Sequence, residues 1–190
     1  MVAAAMKEFR SLMPPPIQPV EPARAEDLDE TERRLGVRLP TDYRAFVEQF
    51  GSGSIGGFLH IANPSSRNPY IRLVEAHDAQ VHVLHELRDS GVEELPYPVH
   101  PEPGGLILWA ETSNGDCCYW VADPPDNPDA WPIAVNEGRA PYWFDHPGPM
   151  TLFLADLVAR RIELPIFPDA VFKGRSFVPI DVAEVGLPNG

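Results

Sequence analysis

Residues 106–121 read LILWAETSNGDCCYWV, with an apolar run at each end and turn residues between them. Two apolar, aromatic-rich runs, 106–110 and 117–121, flank Asn114-Gly115. That dipeptide tolerates the positive φ angles of a tight hairpin better than most. The stretch therefore predicts a β-hairpin, which we expect at the centre of a sheet.

Downstream of the hairpin the pattern continues as strands and then a helix. A turn-rich acidic loop, 123–129, precedes a predicted strand at 131–135 and a second strand-like run at 142–144. Between 150 and 159 the apolar residues fall on one helical side. We expect a meander of at least four antiparallel strands, followed by a helix packed on it.

Upstream, apolar spacing and turn residues predict three helices. Asp27 is a candidate N-cap for a first helix ending at Gly36, and Pro40 suits the first turn of a second. The second helix has an apolar stripe at i, i+3, i+4 and i+7, formed by Tyr43, Phe46, Val47 and Phe50. The glycine-rich stretch 51–57 is predicted to be an irregular turn into a strand at 58–61. A long third helix is expected from Asn68-Pro69 to Gly91.

Helices, then antiparallel strands, then a helix are typical of an α+β fold with helices on one side of the sheet. We expect a single domain over residues 26–164, with order beginning near Asp27. Residues 1–25 are predicted to be a Pro-rich tail or a strap laid across the domain. Residues 165–190 are predicted to be a partly ordered extension.

Composition limits the classes of function. The formal charge is −13, which repels nucleic-acid phosphates and anionic lipids, so neither nucleic acid nor membrane is expected as a partner. The two cysteines are adjacent and cannot form a disulfide framework, and no secretory signal or membrane-spanning run is recognisable. These features predict a cytoplasmic protein that binds another protein, possessing no enzymatic activity and no cofactor.

Histidines and cysteines nevertheless carry an alternative hypothesis of catalysis. His77, His82 and His85 lie on the predicted third helix and form the candidate cluster for a metal-assisted hydrolase, although no recognised ligand spacing completes it. Cys117 and Cys118 should point to opposite sheet faces, one into the core and one outward. No basic neighbour or helix N-terminus is evident to activate either thiol.

Acidic and aromatic residues crowd around the predicted hairpin and the loop after it. Carboxylates can attract a basic partner, and outward aromatic side chains make good interface anchors. The residues predicted from this local content to bind a partner are Asp116, Trp120, Asp123, Asp126, Asp129 and Trp131.

Several motifs taken together resemble the SUKH superfamily, typified by a yeast cell-wall regulator and rich in bacterial immunity proteins. They are Leu39-Pro40-Thr41-Asp42-Tyr43-Arg44-Ala45-Phe46, the glycine-rich turn, Leu106–Ala110, Asn114-Gly115-Asp116 with Tyr119-Trp120, Trp131–Val135, and Thr151–Leu157. The resemblance runs from about Glu26 to Arg160. It implies an α+β domain with a twisted, mostly antiparallel sheet flanked by helices, no cofactor and no known catalytic residues.

The resemblance also implies a function, which is the neutralisation of a polymorphic toxin, often a nuclease, in the cytosol of the producing bacterial cell. An acidic protein is physically suited to mask a basic nuclease cleft. The alternative is a regulatory or scaffold interaction module unrelated to toxins, in which the terminal segments contact the partner.

Overall fold

The computed structural model describes residues 2–91 and 94–180, and over these ranges helices and strands alternate in a mixed order. The α-helices are α1 (Val2–Leu12), α2 (Ala25–Leu35), α3 (Thr41–Phe50), α4 (Leu73–Ser90), α5 (Met150–Val158) and α6 (Asp169–Lys173). The strands are β1 (Gly53–Ile55), β2 (Leu59–Ile61), β3 (Leu106–Thr112), β4 (Cys117–Val121), β5 (Ile133–Asn136), β6 (Trp143–His146) and β7 (Phe177–Pro179).

The seven strands form one sheet in the order β6-β5-β4-β3-β2-β1-β7, and every neighbouring pair is antiparallel. The predicted hairpin is confirmed as β3–β4 in the middle of this sheet, with Leu106 opposite Val121 and Ile107 opposite Trp120. Gly115 takes the positive φ that the turn requires, at 89°. The predicted α+β class and antiparallel meander are therefore confirmed.

One face of the sheet carries the larger core, beneath α1, α3 and α5. The predicted apolar stripe of α3 is confirmed, because Tyr43, Phe46, Val47 and Phe50 are all fully buried. Tyr43 also donates its hydroxyl to the carbonyl of Ala62 at 2.6 Å, so its one polar atom is satisfied inside the core.

Helix α1 overturns the expectation that order begins near Asp27. Its apolar residues Ala5, Met6 and Phe9 are buried, and the Phe9 ring lies 5.8 Å from Phe46 and 5.5 Å from Phe50. The prolines between residues 14 and 22 indicate an extended segment more strongly than this short apolar pattern indicates a helix. Residues 13–24 between α1 and α2, which we call the strap, lie across the domain, since Val20 bridges Gly51 in parallel.

The opposite face of the sheet is also covered, so the prediction of helices on one side only is wrong. Leu84 of α4 packs with Leu108 and Tyr119 in a second, smaller core. Consequently both adjacent thiols are buried, Cys118 in the first core and Cys117 in the second. The prediction that one of them points outward is wrong for the same reason.

Two predicted helix starts differ from the structure because tertiary contacts prevailed. Asp27 lies inside the first turn of α2 and bonds Arg24 and Ser65, while the N-cap residue is Arg24. Helix α4 starts at Leu73, four residues after the predicted Asn68-Pro69 start.

The stretch 51–57, predicted to be irregular, contains strand β1. Gly53 lets β7 approach closely, since a Cβ there would stand 2.5 Å from the Val178 carbonyl oxygen. Strand β7 itself comes from the predicted C-terminal extension, whose residues 181–190 lie outside the described ranges.

Candidate protein-interaction surface

The structure separates the six predicted partner-binding residues into an interior group and a surface group. Asp116, Trp120 and Trp131 are buried, with at most 3% of each residue exposed. Asp116 braces the hairpin turn by accepting hydrogen bonds from the Thr112 hydroxyl at 2.8 Å and the Gly138 amide at 3.2 Å. In this conformation these three side chains have no surface to offer a partner.

The surface group lies on residues 123–129, which we call the acidic loop, and this loop is anchored at both of its ends. The indole of Trp131 donates to the Pro124 carbonyl at 2.7 Å. The carboxylate of Asp129 accepts from the Thr41 amide at 2.7 Å and the Thr41 hydroxyl at 3.0 Å. Trp131 and Asp129 therefore position the loop, which limits the entropy that a partner would have to remove on binding.

Asp123 and Asp126 are the exposed carboxylates of the acidic loop. Within residues 2–91 and 94–180, neither side chain accepts a hydrogen bond or joins an ion pair. Arg38 reaches the loop, but it donates to the main-chain carbonyl of Asp126 at 3.3 Å and not to the carboxylate. The charge of Asp129, by contrast, faces the N-terminus of α3, where it complements the helix dipole. Two charges of the loop thus remain available to a cation.

The aromatic side chains at the predicted interface are mostly core residues. Trp109 and Tyr119 are fully buried, whereas Trp143 and Phe144 on β6 are half-buried. Tyr142, just before β6, is 62% exposed. Alternation along the strands was expected to turn some of these rings outward, but Trp109 is buried in the first core and Tyr119 in the second.

The histidines predicted as a metal cluster do not converge on one site. His82 pairs with Glu86 at 3.2 Å, His85 bonds Arg88, and His77 points into the second core. Among the residues that the structure describes, no group of three or more His, Cys, Asp or Glu side chains is arranged to hold a metal ion. The metal-cluster hypothesis is therefore wrong for these three residues.

His77 belongs instead to a hydrogen-bonded chain that joins four segments. The Leu108 amide donates to His77 Nδ1 at 3.3 Å, which leaves the proton on Nε2. That nitrogen lies 3.1 Å from His100 Nδ1, and His100 Nε2 lies 3.0 Å from the Leu35 carbonyl oxygen. One proton between each pair of atoms satisfies the whole chain, so both rings are neutral.

This histidine chain predicts an acid-dependent loss of stability. Burial, together with His100, lowers the pKa of His77 to about 3, whereas an unfolded histidine titrates at about 6.5. Below about pH 6.5, His77 binds a proton in the unfolded chain but stays neutral in the folded protein. The free energy of unfolding should therefore fall by up to about 1.4 kcal/mol per pH unit from His77 alone.

Urea denaturation between pH 7 and pH 5 measures this slope in the wild type and in His77→Gln. The variant should show a shallower pH dependence, because the group that titrates differently in the two states is gone. His82→Gln, on the solvent side of the same helix, is the matched control for losing an imidazole. Equal slopes in the wild type and His77→Gln would contradict the assignment.

Neither cysteine has the environment of a nucleophile. Burial raises the pKa of the Cys117 thiol to about 12 and raises the pKa of Cys118 well above its ordinary value. A thiolate is therefore disfavoured at both positions, and these side chains act as packing groups.

A cavity of about 250 Å³, which sequence patterning missed, opens on the α4 side of the sheet. Its lining includes His60, Tyr70, Ile71, Leu108 and Glu111. Glu111 escaped notice because strict alternation places it on the same side as Ile107 and Trp109, in the first core. A register shift between Leu108 and Ala110 reverses that assignment. No signal in the sequence marks such a bulge beforehand.

None of the described helices combines the length and apolar character that a membrane crossing requires. In comparisons with known proteins, the family model SUKH_6, described as SMI1-KNR4 cell-wall, matches residues 25–145, which run from α2 almost to the end of β6. No curated protein and no solved structure matches the chain.

Proposed function

The chain belongs to the SUKH family, and we propose that it is a non-enzymatic protein-binding domain that neutralises a basic toxin, as its resemblance to immunity proteins implies. We propose residues 26–164 as the family unit, with 1–25 and 165–190 as additions to it. Its place of action in this proposal is the bacterial cytosol, where adjacent free thiols such as Cys117 and Cys118 stay reduced.

The observation that carries the proposal is the acidic loop. It presents the unpaired carboxylates of Asp123 and Asp126 on a backbone held by Trp131, Arg38 and the Asp129–Thr41 contact. A fixed array of like charges binds a counter-charged surface without a large ordering cost. The rest of the chain adds to this field, since the total charge is −13.

A nuclease toxin would be a fitting target because its cleft must be basic to hold phosphates. An acidic surface accelerates association with such a cleft and can occupy it in place of the substrate. Interactions of this kind weaken as salt is raised, since exposed charges are screened over about 10 Å at 0.1 M. The proposal therefore requires binding that is sensitive to salt.

Neutralising the loop gives the direct test. The partner is first captured from lysate of the source cells on tagged protein, washed at low and then high salt, and identified. Asp123→Asn with Asp126→Asn should slow its association by about tenfold at low salt, and less at high salt, because the steering field is weakened. Biolayer interferometry measures both rates.

The matched control is Glu48→Gln with Glu26→Gln, which changes the net charge equally at exposed positions on α3 and α2. If both double variants reduce the association rate by the same factor, net charge alone accelerates binding and the acidic loop is not the binding site. Inhibition of the captured toxin by a stoichiometric amount of this protein would support neutralisation. A salt-resistant housekeeping partner would instead support the alternative below.

The second candidate function is a regulatory or scaffold module, and the strap is the observation that favours it. The strap lies outside the family match, and its Ile17 side chain is fully exposed. Deleting residues 1–25 does not test this idea cleanly, because it would also remove Phe9 from the core. Ile17→Ser changes only the exposed surface. It should abolish capture of the partner if the protein is a regulatory or scaffold module, and it should not affect capture if the protein neutralises a toxin through the acidic loop.

A further inference from the structure

The β-bulge in β3 determines which face of the sheet the Glu111 carboxylate occupies. Glu111 lies directly opposite His60 on β2 and Cys117 on β4. Cross-strand partners share a face of the sheet, and Cys117 belongs to the second core beneath α4. Glu111 therefore projects on the α4 side, at the cavity of about 250 Å³.

The Glu111 carboxylate has no partner of its own in the described part of the chain, where it accepts no hydrogen bond and joins no ion pair. Glu111 is an exposed residue, but the cavity wall beside it partly desolvates its carboxylate, and this raises the pKa of Glu111 above its ordinary value. His60 does not compensate the charge, because burial lowers the pKa of His60 and its Nε2 lies 3.1 Å from the Ser113 hydroxyl. A cation entering the cavity would recover the lost stabilisation.

The other wall of the cavity holds an aromatic ring at its mouth. Tyr70 is 69% exposed, on a turn fixed by its amide, which donates to the Asn68 side chain at 3.0 Å. The Asn63 amide donates to the Ile71 carbonyl at 2.8 Å and fixes the turn against the domain. The adjacent cation, Arg72, is engaged elsewhere, since it donates to the Ser66 carbonyl at 2.6 Å.

The cavity therefore combines an apolar wall, an exposed ring and one unpartnered carboxylate. Aliphatic contacts come from Ile71 and Leu108. Cationic side chains with long apolar stems match this combination, because the stem packs on aliphatic carbon while the charge meets carboxylate and ring. A carboxylate or phosphate ligand would be repelled by Glu111.

We propose that this cavity is a receptor pocket for one lysine or arginine side chain of a protein partner. The proposal rests on the proposed function in one respect, that the partner is basic. The acidic loop exerts a long-range attraction on the partner. The pocket adds a short-range anchor on the α4 side of the sheet, where a basic side chain is inserted.

The test uses small probes and needs no partner. Amide resonances of the protein are followed by two-dimensional NMR during titration with three probes. They are the Nα-acetyl methylamides of lysine, arginine and norleucine, in which the side chain is unmodified. We expect saturable millimolar binding of at least one cationic probe, with shifts at residues 60, 70 and 111. The norleucine probe, which has the stem without the charge, should bind about fivefold more weakly or worse.

Glu111→Gln should lower the affinity for the cationic probe by about fivefold and leave the affinity for the norleucine probe unchanged. Glu48→Gln, an exposed acidic position on α3, is the matched control and should bind like the wild type. Equal binding of charged and uncharged probes, no saturable shift at the cavity, or normal binding by Glu111→Gln would overturn the pocket. If the probes do not bind but capture of a toxin still depends on the acidic loop, the pocket is wrong and the proposed function stands. If the probes bind but no toxin is captured, the pocket stands and the proposed function is wrong.

Discussion

Phe9→Ala is expected to lower the free energy of unfolding by about 3–5 kcal/mol, as large-to-small substitutions of fully buried rings generally do. The Phe9 side chain is fully buried and contacts the rings of Phe46 and Phe50, which are themselves stacked 4.4 Å apart. Truncation would remove these contacts and leave a cavity between α1 and α3. Chemical denaturation followed by tryptophan fluorescence measures the loss.

Ile17→Ala is the matched control for this prediction. Ile17 lies on the strap a few residues further along but is fully exposed, so its truncation should change stability by less than about 0.5 kcal/mol. A loss below about 1 kcal/mol for Phe9→Ala would mean that α1 is only loosely docked, contrary to the packing described above.

Asp42→Ala is expected to cost about 3 kcal/mol or more, because it would leave several buried donors without an acceptor. The Asp42 carboxylate accepts from the Thr151 amide at 2.8 Å, the Thr151 hydroxyl at 3.0 Å and the Tyr43 amide at 2.9 Å. It thereby caps the N-terminus of α5 from the first turn of α3. Burial raises the pKa of Asp42, and the hydrogen bonds from Thr151 and Tyr43 oppose that rise.

Asp42→Asn separates the hydrogen bonds from the charge. The amide keeps one oxygen for Thr151 but loses the negative charge at two helix N-termini, so we expect a smaller loss than for alanine. Thermal and urea unfolding of the two variants provide the comparison. Equal losses would show that the charge, and not the acceptor atoms, stabilises this contact.

Periodic patterns carried most of the information about the fold that was available in the sequence. The hairpin at Asn114-Gly115 and the stripe of α3 were predictable because turn chemistry and apolar spacing are local properties. The placement of α4 was not predictable, since its apolar residues could pack against either face of the sheet. The covering of Cys117 depends on that tertiary choice, and so does the second core.

The candidate surface was only partly predictable. Composition located the acidic loop correctly in the chain, but it could not separate Asp129, which is bound to Thr41, from Asp123 and Asp126, which are free. Trp120 and Trp131 were predicted as interface anchors from local charge and aromatic content, but both lie in the first core, because packing decides which side of a strand is covered. Glu111 was missed because a single inserted residue in β3 reverses which face a side chain occupies.

The position of α1 has a further consequence for how the polypeptide is made. Helix α1 is synthesised well before α5, which begins at Met150 and packs against it. Contacts between residues so distant in sequence close late and slow the folding of a domain. During synthesis Phe9 therefore stays uncovered until α5 has emerged from the ribosome, which gives chaperones an apolar ring to bind.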